Sequence, residues 1–264
     1  MSRFDEDTSV IHEGEDRWRA RLDGAWNIGD IANGGYAMTP VLRVLRTLAG
    51  HPDPISVTAH FLRPSRGDAE AQITAGLIRR GRTTGTARGD LSQDEKLRLS
   101  VVAAFADLSA PVGAPGALGL ESPAIPTPDE CLDRSGLEQG VELPILSRVD
   151  VRIRPEHGVA AGSSEAVLEG WIRLADGSEP SVLTLPFFAD AFPPALYPLF
   201  GRIGWAPTIE LTVHVRRRPA PGWIQARFEC DDLHDGRMIE SGSLWDSTGA
   251  LVARSRQVGL MLAG

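Results

Sequence analysis

The stretch TIELTVHVRR, residues 208–217, has an earlier counterpart in PISVTAHFLR, residues 54–63. Ile, Thr, His and Arg recur at the same places, 154 residues apart. The same offset carries the match upstream without a gap, so that Tyr36–Arg63 lies on Asp190–Arg217. Nine positions are then identical, those of Ala37, Pro40, Leu42, Leu45, Gly50, Ile55, Thr58, His60 and Arg63. With one residue inserted, the match continues through Pro64/Pro219, Gly67/Gly222, Ala71/Ala226, Gly81/Gly236 and Arg82/Arg237. Common residue types alone would inflate such a count, but the apolar phase agrees as well. The chain reads as a tandem duplication.

Working outward from the repeat, the spacing of Met38, Val41, Leu42, Leu45 and Leu48 predicts a helix. Asn33 is a suitable cap, Gly34 and Gly35 permit close backbone approach, and Gly50 with Pro52 ends the helix. A strand follows with Ile55, Val57, Ala59 and Phe61 on one face, then strands over 68–80, 83–91 and 97–106. One or two strands are expected upstream, between Ser9 and Asn33. The second copy is expected to place strands at 147–153, 165–174 and 182–185, then a helix over 189–200 with Pro193 and Pro194 in its first turn. Strands over 209–215, 223–231, 238–246 and 251–262 complete it. Each copy is then an antiparallel sheet packed on one helix, an α+β arrangement. The expected organisation is 1–108 for the first unit, 109–142 for a Pro/Gly/Ala/Ser-rich linker with a short helix in DECLDRSGLEQG, and 143–264 for the second.

Composition narrows the function. A net charge of −8 argues against a general nucleic-acid binder, whose phosphate contacts need a basic face. Two cysteines, Cys131 and Cys230, without a C-x-x-C spacing suggest neither a disulfide scaffold nor a zinc site. The six histidines show no metal-ligand spacing, so no metal and no cofactor are expected. His60 and His214 hold matching strand positions, which favours a structural role. An acidic N-terminus without an apolar core is not a signal peptide, and no apolar run approaches the length of a membrane span. A cytoplasmic location is expected. No G-x-S-x-G elbow or G-x-G-x-x-G loop is present.

The duplicated plan resembles the double hotdog fold, and most closely the acyl-CoA thioesterase II family. The resemblance rests on TAHFLRPSRGD (58–68) and RRGRTTGTARGDL (79–91) in the first copy. In the second it rests on FFADAF (187–192), APTIELTVHV (206–215) and DSTGALVARSRQVGLM (246–261). It covers nearly the whole chain apart from the linker. The family's catalytic residues are an Asp at the second helix, a Thr opening the next strand and a Gln in the last strand. Carried over, these fall on Asp190, Thr208 and Gln257.

The repeat weighs the same residues independently. Asp190 stands where the first copy has Tyr36, Thr208 where it has Pro54, and Gln257 opposite the apolar run around Val102. Taken singly, Asp190 is equally a helix cap, Thr208 a turn residue and Gln257 an exposed strand residue. Together they are three polar groups confined to one copy. Thioester hydrolysis needs a positioned water and donors for a developing oxyanion. Asp190 suits the general base, Thr208 and Gln257 suit orientation of the water, and backbone N–H groups at Gly34 and Gly35 suit the oxyanion. Trp26, Met38, Phe61 and Phe192 are candidate walls of an acyl slot, although each alone fits ordinary core packing. Arg63, Arg79, Arg80, Arg82 and the run Arg216–Arg218 are the cations available to CoA phosphates, or else a solvated face.

The expected activity is hydrolysis of a fatty acyl-CoA to free acid and CoA. Two alternatives stand beside it: an acyl-CoA binding or sensing protein without turnover, and a hotdog enoyl-CoA hydratase. Hydratases of this type place a His a few residues after the catalytic Asp, and here AFPPA follows Asp190. Open sheet edges make a homo-oligomer a further expectation.

Overall fold

The structure is a computed structural model that describes residues 1–110, 113, 118–202, 204 and 206–262. Linker positions 111–112 and 114–117 lie outside the described residues. A short helix α1 (Arg3–Asp7) opens the chain, followed by β1 (Ile11–Gly14) and β2 (Arg17–Leu22). A small ribbon of β3 (Asn27–Ile28) and β4 (Ile31–Ala32) leads into α2 (Gly34–Ala49). Next come β5 (Asp53–Phe61), β6 (Ala69–Arg80), β7 (Gly85–Gln93) and β8 (Lys96–Ala106). The second half contains β9 (Leu132–Asp133), β10 (Val149–Ile153), β11 (Val167–Leu174), α3 (Thr184–Phe188) and α4 (Tyr197–Phe200). It closes with β12 (Thr208–Val215), β13 (Ile224–His234), β14 (Arg237–Trp245) and β15 (Leu251–Leu260).

Thirteen of these strands form one antiparallel sheet in the order β1-β2-β6-β7-β8-β5-β12-β15-β14-β13-β11-β10-β9. The order is nearly palindromic about the β5–β12 pair, as a duplication joined edge to edge requires. In that central pair Val57 faces Val213, Thr58 faces Thr212 and Ala59 faces Leu211. Thr58 and Thr212 are repeat-equivalent, so an approximate two-fold axis passes between them. Their hydroxyls lie 2.9 Å apart. Each of these strands also bulges at the same place, at Ile55 against β8 and at Ile209 against β15. One edge of each unit is thus covered by the other, and β1 and β9 remain as the outer edges.

The sheet packs on α2, whose apolar face lies against β6, β7, β8 and β5. Asn33 caps it by accepting the Tyr36 N–H at 2.9 Å, and Gly50 ends it in the left-handed conformation at φ 72°. Met38, Val41, Leu42 and Leu45 are fully buried there. The double hotdog, an α+β fold of two tandem units, is therefore what the chain adopts.

Three local expectations are corrected. Residues 182–185 are not a strand but lead into and begin α3. The second helix does not run over 189–200; it is split into α3 and α4 by an irregular segment containing Pro193 and Pro194. Two adjacent rings remove two N–H donors and push the preceding residue out of the helical region. DECLDRSGLEQG holds no α-helix but two 3-10 turns, Pro128–Glu130 and Arg134–Gly136, on either side of β9. The preceding residues cross the sheet in a regular way. Trp245 Nε1 donates to the Leu120 carbonyl (3.0 Å), Gln225 Nε2 to Pro123 (2.5 Å) and Trp171 Nε1 to Pro126 (2.8 Å). Those donors form one row on β14, β13 and β11, and the acceptors step by three residues.

Candidate active site

Asp190 lies just past α3, where its N–H donates to the Phe187 carbonyl at 3.0 Å. Its side chain reaches into the other half and meets the start of α2. Oδ2 accepts the Gly35 N–H at 2.8 Å and Asn33 Nδ2 at 2.9 Å, and Asn33 Nδ2 also reaches the Asp190 carbonyl at 2.8 Å. The carboxylate therefore adds to the cap of the first copy's helix rather than capping its own. The two glycines make room for it. A Cβ on Gly34 would fall 2.8 Å from the Phe61 ring, and one on Gly35 would fall 2.8 Å from Phe187 Cα.

Burial pushes the Asp190 carboxyl up to about 6. The Gly35 N–H, the Asn33 amide, the Gly34 N–H and the Arg134 guanidinium oppose that rise without cancelling it. Arg134 is itself buried, donating through Nε to Gln139 Oε1 (3.0 Å) and through Nη1 to the Ala191 carbonyl. Desolvation draws its guanidinium down to about 9.

A second polar chain comes from the sheet. Thr208 Oγ1 donates to Gln257 Oε1 at 2.9 Å, and Gln257 Nε2 donates to Glu240 Oε1 at 2.6 Å. Glu240 Oε2 accepts the Ala195 N–H at 2.6 Å. The β12 bulge makes this chain possible. It inserts Ile209 as an extra residue, so Thr208 turns to the helix-facing side that Leu211 and Gln257 share. Burial raises the Glu240 carboxyl to about 7, and the charge of Asp190 adds to the effect.

Asp190, Thr208, Gln257 and Glu240 line one cavity of about 310 Å³ between the halves. Gly34, Phe61 and Phe192 are also on its wall, with Arg63 and Pro64 from the first copy. Trp26 and Met38 are not. Trp26 stacks on Tyr36 with ring centroids 5.0 Å apart, and Met38 sits wholly inside the core. Gly35 is behind the wall, with its N–H committed to Asp190. Among the arginines, Arg218 is bound to Asp53 (2.9 Å) and Asp107 (3.1 Å), and Arg80 donates to the Leu48 carbonyl.

Sequence reasoning missed Glu240, Arg134 and Gln139. Glu240 had a readable signal, because Met238, Glu240 and Gly242 fall in the buried phase of β14. Arg134 and Gln139 lie in the segment expected as linker, where no periodicity marks burial. Among the described residues no cluster of metal-ligating side chains is found, and no helix is long and apolar enough to cross a membrane.

The fold and its junction cavity define a double hotdog protein, and the family to which it belongs follows from known proteins. Residues 22–109 match the family described as acyl-CoA thioesterase N-terminal domain, and 121–261 match acyl-CoA thioesterase C-terminal domain. The chain is similar to the crystal structure of a putative thioesterase II from Thermobifida fusca YX, at 33% identity and a TM-score of 0.89, covering 100% of this chain and 98% of that one. An acyl-CoA thioesterase II from Mycobacterium marinum shares the fold at 18% identity and a TM-score of 0.72, over 99% of this chain and 98% of that one. An uncharacterized protein of Mycobacterium tuberculosis is 25% identical over 96% of this chain and 91% of its own. The chain belongs to the acyl-CoA thioesterase II family.

Proposed function

We propose that the protein hydrolyses a fatty acyl-CoA to the free acid and CoA, using a water activated by Asp190 and oriented by Thr208 and Gln257. The observation that carries this reading is the meeting of those three side chains on one cavity wall, with apolar walls beside them. Asp190 takes a proton from water as the water oxygen bonds to the thioester carbon. The tetrahedral intermediate then collapses, the C–S bond breaks, and the proton held by Asp190 passes to the leaving thiolate. A carboxyl raised to about 6 is ionised at neutral pH yet basic enough to take that proton.

The start of α2 serves both charges in turn. In the resting site its N–H groups and dipole stabilise the Asp190 carboxylate. Once Asp190 holds the proton, the negative charge sits on the former carbonyl oxygen, and the same positive helix end faces it through Gly34 on the cavity wall. Phe61 and Phe192 border the acyl chain, and Arg63 is the wall cation nearest in kind to a CoA phosphate partner.

The test is thiol release from a panel of acyl-CoAs of graded chain length, with wild type and Asp190→Asn side by side. Asparagine keeps an oxygen for Gly35 and Asn33 and removes only the base. Thiol release that disappears in the variant supports the reading. Binding without release from any acyl-CoA, or full turnover by Asp190→Asn, refutes it.

A further inference from the structure

We propose that Glu240 is a positioning residue that sets the direction of the hydrogen-bond relay to the attacking water, holding Thr208 as an acceptor toward the cavity. The inference rests on the reading just given and assigns a role to a side chain outside its three residues.

The argument follows the donors. An ionised Glu240 has only lone pairs, so Gln257 must turn its amide nitrogen inward to Oε1 and its carbonyl outward. The outward carbonyl has only lone pairs as well, so the Thr208 hydroxyl must give its proton to it. Thr208 is left with lone pairs for the cavity. A water between Thr208 and Asp190 then donates both hydrogens, one to each, and keeps its own lone pairs free for the thioester carbon.

Protonated Glu240 reverses every link. The Ala195 N–H occupies Oε2, so the proton must reside on Oε1, which then donates to Gln257. The amide turns over, its nitrogen donates to Thr208, and Thr208 donates to the water, occupying a lone pair needed for attack. Glu240→Gln copies this reversed state. Ala195 requires an oxygen at the Oε2 place, which leaves the new NH₂ facing Gln257. The fold loses neither volume nor a hydrogen bond.

The groups facing Glu240 are few. From β15 it meets neutral Gln257, and from the segment after α3 it meets the Ala195 N–H and the charge of Asp190, with Arg134 opposing Asp190. From β13 the paired residue is Cys230, whose thiol burial raises to about 11 and so keeps uncharged. Burial dominates, which brings the reversal to about neutral pH.

The experiment compares kcat and KM for thiol release by the full chain as wild type, Glu240→Gln, the exchanged pair Glu240→Gln/Gln257→Glu, and Asp190→Asn. Glu240→Gln should lose about a hundredfold in kcat near pH 8 with little change in KM. The exchanged pair should recover most of that loss, because the carboxylate it places on β15 accepts from both the new amide on β14 and Thr208. Wild-type kcat should fall on the acid side with a slope that exceeds one between about pH 6 and 5, and that of Glu240→Gln with a slope of one. Glu240→Gln at the wild-type rate, no recovery in the exchanged pair, or a wild-type acid slope that never exceeds one overturns the proposal. The wild-type profile decides even where a variant does not fold. Turnover retained by Asp190→Asn would instead strike the general-base reading and leave the relay to be judged by its own variants.

Discussion

The two halves of this chain place different chemistry on the same frame. Beside β12 and β15 the second half carries Asp190, Thr208, Glu240 and Gln257 around a cavity. The sheet register identifies the matching places in the first half. Val57 pairs with Ala103 as Leu211 pairs with Gln257, and Ala103 pairs with Ala87 as Gln257 pairs with Glu240. Thr208 corresponds to Pro54, and Asp190 to Tyr36. One half therefore holds two alanines, a proline and an aromatic ring where the other holds two carboxyls, an amide and a hydroxyl. The Tyr36 ring is stacked on Trp26, which Phe4 and Phe187 meet edge-on, so aromatic rings fill the space around it. A shared backbone thus tolerates either a packed apolar patch or a polar cavity, and side-chain volume decides which forms.

The sharpest way to break this comparison is to remove the carboxylate proposed as the base. Asp190→Asn is expected to lower kcat by about a thousandfold while leaving the unfolding midpoint near pH 3, where both carboxyls are protonated, little changed, with thiol release and circular dichroism as the two readouts. Next in size is the reverse graft. Ala87→Glu forces a carboxyl into the first half without the Ala195 N–H, the amide or the cavity, and should cost roughly 3 kcal/mol in urea unfolding. An Ala87→Glu variant as stable as wild type would show that the first half also has room.

The third prediction concerns pH. Asp190 and Glu240 titrate above their ordinary values in the folded chain, at about 6 and about 7. Raised carboxyls favour folding fully below the ordinary carboxylate range, and that contribution disappears as pH rises through the folded values. Asp190→Asn should therefore gain stability over wild type between about pH 4 and 7, reaching roughly 3 kcal/mol at alkaline pH. A variant equally displaced from wild type at all pH would contradict the raised carboxyl. The smallest effect is expected at the two-fold axis, where Thr58→Val should cost about 1 kcal/mol, because Thr212 still donates to Glu210 at 2.5 Å.

Much of the frame is legible because duplication doubles the signal. Ile55 and Ile209 are an identity in the sequence and prove to be paired bulges; Gly50 and Gly204 both have positive φ. Helix α2 is legible from Asn33 to Gly50 because its apolar face repeats over four turns. The split of the second helix is harder. Pro193 and Pro194 are compatible with a first turn when read locally, but they follow α3 instead of opening a helix, and there the two rings break it. In the site, Asp190, Thr208 and Gln257 stand out as polar departures from the first copy. The direction of the Asp190 side chain does not, because its partner is a helix start 155 residues away. Arg134 lies in a segment whose order comes from Trp245, Gln225 and Trp171, and such tertiary anchors leave no local pattern.

The near two-fold through Thr58 and Thr212 has a genetic consequence. Identical subunits related by such an axis must accept every substitution in duplicate, so an ancestor assembled from separate copies would have had paired centres, each borrowing a helix end from its neighbour. Covalent fusion lifts that obligation. A mutation that fills one centre with a ring need no longer erase the other, and the filled centre is free to become a buttress for the one that stays open.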